Sequence, residues 1–355
     1  MKTSRKTVFI GDRSDGRSNH FNLIRMIAAT GVLVSHAYPI SLGDGATEPL
    51  QFWLNGVSLG TVCVYVFFTI SGFFIAKSFD RSPSLGRFLR ARVLRLYPAL
   101  AVVLIITVMI AGLFLTVAPP KAYWTVAPEY VVRNLSLYRL QFELPGVFDR
   151  NPLGPAINGS LWTLFHEVMC YVGVFLTGLL GLLRNRRVLV VLLVGFVILQ
   201  PLALLLPLPE KLAAFLKLTV PFAIGTAFYV WRDFVPLRLS IGLALIVLVS
   251  LTYVTPLFHM TFAVALSYWI FLVGLAKAPA LLTYNRLGDY SYGIYIYAFP
   301  LQQLMAFWGV ALPLANMLLA FPVTLTMAIL SWHLIEKPAL SWVHRPVVTK
   351  KGVGA

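Results

Sequence analysis

Long apolar runs follow one another along almost the whole chain, separated by short polar segments. Ten of these runs are about 17–25 residues long, the length that an α-helix needs to cross the hydrocarbon core of a bilayer. They lie at 21–40, 57–76, 96–118, 159–183, 187–206, 212–231, 239–255, 257–276, 290–310 and 314–335. The pattern predicts an all-α, polytopic membrane protein with about ten transmembrane helices. The helix boundaries within 239–276 are the least sharply defined.

The composition supports this interpretation. Of the 355 residues, 59% are hydrophobic and only 12% are charged, and the mean hydropathy is +0.81. A soluble domain has about 25% charged residues, so this chain has too little polar surface to cover a water-soluble globule. Cys63 and Cys170 both fall in apolar runs, which predicts neither a disulfide framework nor a metal site.

The basic residues are unevenly distributed between the segments that join the apolar runs. The net charge is +16, and an even number of spans places both termini on one side of the membrane. With a cytoplasmic N-terminus, 23 of the 29 Lys and Arg residues fall on the cytoplasmic side. The positive-inside rule therefore predicts an N-in, C-in topology. This sorting explains the basic excess, so no nucleic-acid partner is expected.

The predicted topology divides the chain into three parts. Residues 1–20 form a basic cytoplasmic segment, residues 21–340 the membrane domain and residues 341–355 a cytoplasmic tail. No small-residue cleavage site follows the first apolar run, so we expect this run to remain as an anchor. The longest external segment, about 119–157, is rich in Pro, Tyr and Trp and is expected to be an ordered lid or a re-entrant loop.

Ionisable residues within membrane spans are costly and often mark function. The first apolar run contains RMIAATGVLVSH, from Arg25 to His36. Eleven helical residues make three turns plus about 20°, so the two side chains share a helix face about 16 Å apart. His36 suits proton transfer. It also fits a structural histidine that is hydrogen-bonded within the bundle or lies at the interface.

A second basic pair lies in RFLRARVLRLYP, where Arg92 and Arg95 share a helix face at the predicted cytoplasmic surface. Arginine binds phosphate through two parallel hydrogen bonds, so this pair could hold a phosphorylated cytosolic cofactor. Topology anchoring and contact with lipid headgroups would explain the pair equally well.

The third candidate lies in GSLWTLFHEVMCY, residues 159–171. Glu167 is the only acidic residue well inside a predicted span. Its neighbour His166 points about 100° away on a helix, so only one of the two need face the bundle interior. A structural pairing of Glu167 with an intramembrane Arg or His is the alternative to a functional role.

Six short motifs carry a resemblance to a known family. They are R-x10-H from Arg25 to His36, VCVYVFFTISGFFIAKSF (62–79), RVLRLYP (92–98), SLWTLFHEVMCY (160–171), DYSYGIYIYAFPLQQ (289–303) and IEKPAL (335–340). In content and order, over nearly the whole chain, they resemble the acyltransferase-3 family of integral membrane O-acyltransferases. The resemblance implies a ten-helix bundle.

The resemblance also implies an activity. Members transfer acyl groups, most often acetyl from acetyl-CoA, onto hydroxyls of carbohydrates such as lipopolysaccharide O-antigen or exopolysaccharide. It implies catalytic positions for His36 and Glu167, and donor binding by Arg25, Arg92 and Arg95. Acyl-CoA would be a substrate, with no permanently bound cofactor. Many members have a histidine in the late motif, at the position where this chain has Ala298. In lacking this histidine the chain resembles the exopolysaccharide-modifying members.

Two other functions stay open at this point. Intramembrane Arg, His and Glu also serve proton-coupled carriers, so a transporter or flippase for a lipid-linked sugar is the alternative. A non-catalytic subunit of a polysaccharide assembly complex is a third interpretation. The apolar spans predict a multi-pass membrane protein, the resemblance implies the bacterial inner membrane, and the sequence is compatible with a homo-oligomer.

Overall fold

The computed structural model describes residues 7–344, except residues 17, 83, 192 and 196–207. Within these residues every regular element is helical, and the only β-type pairing is one isolated bridge between Phe9 and Pro236. The α-helices are α1 (Gly11–Ser14), α2 (Phe21–Leu42), α3 (Pro49–Trp53), α4 (Leu59–Arg81), α5 (Leu85–Ile110), α6 (Pro120–Ser136), α7 (Trp162–Leu179), α8 (Glu210–Val230), α9 (Leu239–Leu251), α10 (Phe258–Gly274), α11 (Ser291–Phe307), α12 (Pro313–Ser331) and α13 (Lys337–Ser341). Residues 186–191 and 193–195 are also helical.

Six of the described helical segments are long and apolar enough to cross a membrane. They contain α2, α4, α5, α7, α8 and α12. A seventh candidate is α10 together with the 3₁₀-helix Pro279–Arg286, which bends by 91°. These helices support the predicted multi-pass membrane protein.

The sequence predicts ten spans, which is more than the six or seven candidate spans among the described residues. The fifth predicted run, 187–206, lies largely outside the described residues. The runs at 239–255 and 290–310 coincide with α9 and α11, which have only 13 and 17 residues. Ten spans, the N-in, C-in topology and the three-part division of the chain stay predictions.

Two central helices, α4 and α8, approach each other closely because a glycine on each helix faces the backbone of the other. A Cβ atom on Gly72 would lie 2.0 Å from the carbonyl oxygen of Phe222, and one on Gly225 would lie 2.0 Å from that of Thr69. Small residues allow this approach in membranes, where packing rather than hydrophobic burial holds helices together. The hydroxyl of Thr226 donates to the carbonyl of Gly72 at 3.2 Å across the contact.

A second group, α2, α11 and α12, is joined by buried amide side chains. The Nε2 of Gln302 donates to the carbonyl of Leu33 at 2.9 Å, and the Nδ2 of Asn316 donates to the carbonyl of Gln302 at 3.0 Å. Polar groups inside a bilayer need such internal partners. The contacts hold α2 and α11 side by side, and both helices contribute to the site described below.

The segment at about 119–157 contains a regular helix that the sequence did not predict. Tyr123, Ala127, Tyr130 and Asn134 form the buried face of α6, with the spacing of an amphipathic helix. The hydroxyl of Tyr123 donates to the carbonyl of Val108 at 2.7 Å, which ties α6 to α5. The segment is therefore ordered and packed on the bundle. Its external location stays a prediction.

Candidate active site

Two cavities meet at one wall inside the helix bundle. The larger has a volume of about 990 Å³ and the smaller about 340 Å³. Val64, Thr163 and Tyr295 line both. The side chains of Thr163 and Tyr295 are hydrogen-bonded to each other in this wall, and the Tyr295 hydroxyl also donates to the carbonyl of Ser160 at 2.9 Å. The wall therefore combines the apolar side chain of Val64 from α4 with hydrogen-bonded, buried hydroxyl groups from α7 and α11.

Four of the five site residues predicted from the sequence line the larger cavity, which we call the arginine cavity. Arg25 comes from α2, Arg92 and Arg95 from α5, and Glu167 from α7. The three-residue spacing of Arg92 and Arg95 places both on the cavity side of α5. Three helices that are distant in sequence thus bring their ionisable residues to one space. Their functional roles stay predictions.

Two of the arginines are held by carboxylates that the sequence analysis did not assign. Arg95 forms ion pairs with Asp289 at 2.5 Å and with Glu336 at 3.3 Å, and Arg25 lies 3.6 Å from Asp289. Asp289 precedes α11, and Glu336 ends the π-helical turn Trp332–Glu336 that follows α12. Both acids occur in the motifs that carry the family resemblance and lie beside apolar runs, but neither feature shows which arginine the acid pairs with.

Arg92 differs from Arg95 because no carboxylate forms an ion pair with it in the described part of the chain. Its guanidinium lies over the rings of Phe88 and Tyr171, 5.8 and 5.9 Å from their centroids. Its Nε atom is buried and has no hydrogen-bond partner. A cation held by aromatic rings but not neutralised by an ion pair is suited to binding an anionic ligand.

Glu167 lies in the same cavity but is held by hydroxyl groups. The hydroxyl of Tyr171 donates to its Oε1 at 2.5 Å, and that of Ser71 donates to the same atom at 3.1 Å. His166 is buried away from both cavities, with its Nδ1 3.0 Å from the carbonyl of Trp162. Both residues are thus inside the bundle, but only Glu167 lines a cavity, and no contact between Glu167 and a histidine is seen among the described residues.

His36 lines the smaller cavity, which we call the histidine cavity. Its ring packs edge-on against Phe299 at a centroid distance of 5.2 Å. Its Nδ1 is buried, and it has no hydrogen-bond partner within residues 7–344 as described. The structure thus separates His36 from Glu167 and the arginines. Arg25 and His36 nevertheless face inward from the same helix, as their spacing predicts.

Glu48 also lines the histidine cavity and was missed by the sequence analysis. Its carboxylate accepts hydrogen bonds from the backbone N–H of Leu59 and from the side chain of Ser35, and it forms a capping box with Gln51 at the start of α3. Burial raises the pKa of this carboxyl above its usual value. Glu48 lies in the connection between two apolar runs, so a search for ionisable residues within spans does not find it.

Comparison with known proteins identifies the family of the chain. The model of the Acyl_transf_3 family, described as an acyltransferase domain, matches residues 19–335. The chain belongs to this acyltransferase family. It is 28% identical over 340 residues to the O-acetyl transferase of Shigella phage Sf6, covering 92% of this chain and 97% of that protein.

A second relative covers less of the chain. Nodulation protein 10 of Rhizobium leguminosarum bv. viciae is 32% identical over 169 residues, which is 45% of this chain and 44% of that protein. No solved structure matches the chain. The predicted family is confirmed. The protein is an acyltransferase, and it transfers groups other than aminoacyl groups.

Proposed function

We propose that this acyltransferase is an O-acetyltransferase of the bacterial inner membrane that moves an acetyl group from acetyl-CoA to a hydroxyl of an exported or cell-surface carbohydrate. The acetyl group is supported by the relative named O-acetyl transferase, which matches over nearly its whole length. The observation that carries the proposal is the pair of cavities, one lined by arginines and one by His36, on the two sides of one wall.

The arginine cavity is the proposed donor site. Its volume of about 990 Å³ lies at the upper end of the range of roughly 300–1,000 Å³ that is typical of ligand cavities. Arg92 is the arginine best placed to bind the diphosphate, because it has no carboxylate partner among the described residues. Arg25 and Arg95 share Asp289, which fixes their side chains beside the donor.

The histidine cavity is the proposed acceptor site. A ring nitrogen of His36, which lines this cavity, would take the proton of the acceptor hydroxyl, and the hydroxyl oxygen would attack the thioester carbonyl carbon. The carbon–sulfur bond then breaks, the acetyl group remains on the acceptor oxygen, and the CoA thiolate takes up the proton. Transfer through an acetyl-histidine requires the same two cavities and the same histidine.

The predicted topology gives the reaction a direction. With a cytoplasmic N-terminus, Lys77, Arg81 and Arg87 lie at the cytoplasmic end of the arginine cavity. Glu48 and Gln51 lie at the opposite end of the bundle, where they line the histidine cavity. Acetyl-CoA would enter from the cytosol, and the carbohydrate would meet the acetyl group from the other side. Only the acetyl group would cross the wall between the cavities.

The test uses cells that lack the gene. The gene is restored as wild type, as His36→Ala, or as His259→Ala, which replaces a histidine of α10 that lines neither cavity. Ester-linked acetyl on isolated surface polysaccharides is then measured by NMR at equal protein expression. We expect wild type and His259→Ala to restore acetylation and His36→Ala to lower the rate by about 10²–10⁴. Full restoration by His36→Ala would make the histidine structural.

A further inference from the structure

The positive charge of the arginine cavity is not evenly distributed. In its deep part, three arginines are accompanied by three carboxylates, those of Asp289, Glu336 and Glu167. At its exposed end are three more cations, Lys77, Arg81 and Arg87, which we call the basic rim. Among the described residues only Asp15 forms ion pairs with the rim. The excess positive charge of the cavity therefore lies at the rim.

The basic rim is built by two helix ends. Lys77 and Arg81 lie in the last two turns of α4, and Arg87 lies in the first turn of α5. The side chain of Lys77 is 12% exposed and that of Arg81 is 51% exposed. The guanidinium of Arg87 is exposed, and no ion pair or hydrogen bond is seen for it in the part of the chain that the structure describes. Arg87 is thus available to a ligand in the cavity.

We infer that the basic rim is a phosphate site that binds the 3′-phosphate of the CoA donor, so that the protein selects CoA thioesters over thioesters lacking this phosphate. The inference rests on the proposed use of acyl-CoA. The 3′-phosphate is a dianion and is more expensive to remove from water than the singly charged phosphates of the diphosphate, which favours the exposed rim for it and leaves Arg92 to the diphosphate. The nucleotide end would remain at the rim while the thioester reaches the wall beside His36.

Asp15 marks the position that the phosphate would take. Its carboxylate lies 2.6 Å from Arg81 and 3.3 Å from Lys77, and its hydrogen bond with Arg81 lowers the pKa of the carboxyl. The side chain is 66% exposed and belongs to the segment before α2, so it can be displaced into water. A phosphate offers more charge and more acceptor oxygens than one carboxylate and can replace it on the same cations.

The experiment compares CoA with 3′-dephospho-CoA, two molecules that differ only in this phosphate. Equilibrium binding of each is measured by titration calorimetry on the full-length protein in lipid nanodiscs. The variants are wild type, Arg87→Gln and Arg90→Gln. Arg90 is a matched control because it lies on the same helix and does not line the cavity. Both substitutions remove one positive charge from the first turns of α5.

For wild type and Arg90→Gln we expect CoA to bind about five- to tenfold more tightly than 3′-dephospho-CoA. In Arg87→Gln this preference should fall to about twofold or less, with little change for 3′-dephospho-CoA. Equal binding of both molecules to wild type, or an unchanged preference in Arg87→Gln, would overturn the rim site and leave the donor proposal standing. If neither molecule binds wild type, the CoA donor itself is wrong, and the rim site fails with it.

Discussion

Arg95 and Arg92 lie one helical turn apart, and the structure predicts that their replacement has different consequences. Arg95→Met would leave Asp289 and Glu336, which are 12% and 2% exposed, without their shared cation. Breaking a buried ion pair by removing one partner costs about 3–5 kcal/mol. Asp289 keeps Arg25 at 3.6 Å and Glu336 keeps the hydroxyl of Ser331 at 3.0 Å, so we expect a loss near the lower end, about 3 kcal/mol.

Arg92→Gln should behave differently because it breaks no ion pair. The substitution removes the interaction of the guanidinium with the Phe88 and Tyr171 rings, which is worth about 1 kcal/mol in all. The two free cysteines, Cys63 and Cys170, are both buried and provide the assay, since a thiol-reactive dye reports unfolding when they become accessible. Unfolding is followed in detergent with increasing denaturant, and CoA binding is measured on the same samples.

We expect Arg95→Met to unfold at clearly lower denaturant concentration than wild type, and Arg92→Gln to unfold near wild type but to bind CoA less tightly. Adding Glu336→Gln to Arg95→Met should recover part of the stability, because it removes one of the stranded charges. Equal stability of Arg95→Met and wild type would refute the ion-pair assignment. Normal CoA binding by Arg92→Gln would refute its role as the free phosphate ligand.

Three further predictions rest on single features of the structure. Gly72→Ala should prevent stable packing of α4 on α8, because the added Cβ would lie 2.0 Å from the Phe222 carbonyl oxygen. The yield of folded protein in detergent measures this effect, and Gly173→Ala, where the added Cβ meets open space, is the control. Asp15→Asn should tighten CoA binding in the nanodisc titration, because the carboxylate that competes for the basic rim loses its charge; weaker binding would contradict this. Tyr295→Ala should raise the release of CoA from acetyl-CoA without an acceptor, because the wall between the cavities is opened to water; an unchanged rate would mean that other residues keep the cavities apart.

The sequence could predict features that depend on local periodicity. The runs at 21–40 and 57–76 begin within two residues of α2 and α4, because a helix of membrane-spanning length leaves a continuous apolar signal. The shared inward face of Arg25 and His36 follows from the eleven-residue spacing, since the helical repeat sets side-chain direction. The six motifs led to a family that comparison confirms.

Features that depend on contacts between distant parts of the chain could not be predicted from the sequence. Arg95 meets Asp289 194 positions later and Glu336 241 positions later, and no local pattern reveals such a pairing. For the same reason the sequence analysis assigned Arg25, Arg92 and Arg95 one shared role in donor binding. In the structure, carboxylates form ion pairs with Arg25 and Arg95 but not with Arg92. The helix α6 was missed because Pro120 and Pro128 suggest a loop, whereas Pro120 starts the helix and Pro128 is accommodated within it.

The central claim is that an acetyl group passes from a donor on one side of the bundle to an acceptor on the other through the wall beside His36. A direct test uses inside-out membrane vesicles with the acceptor polysaccharide in their lumen. Acetyl-CoA with a labelled acetyl group is added outside the vesicles. The account predicts labelled polysaccharide in the lumen with wild type and His259→Ala, and none above background with His36→Ala. Equal lumenal labelling with His36→Ala, or labelling only of polysaccharide added outside, would contradict it.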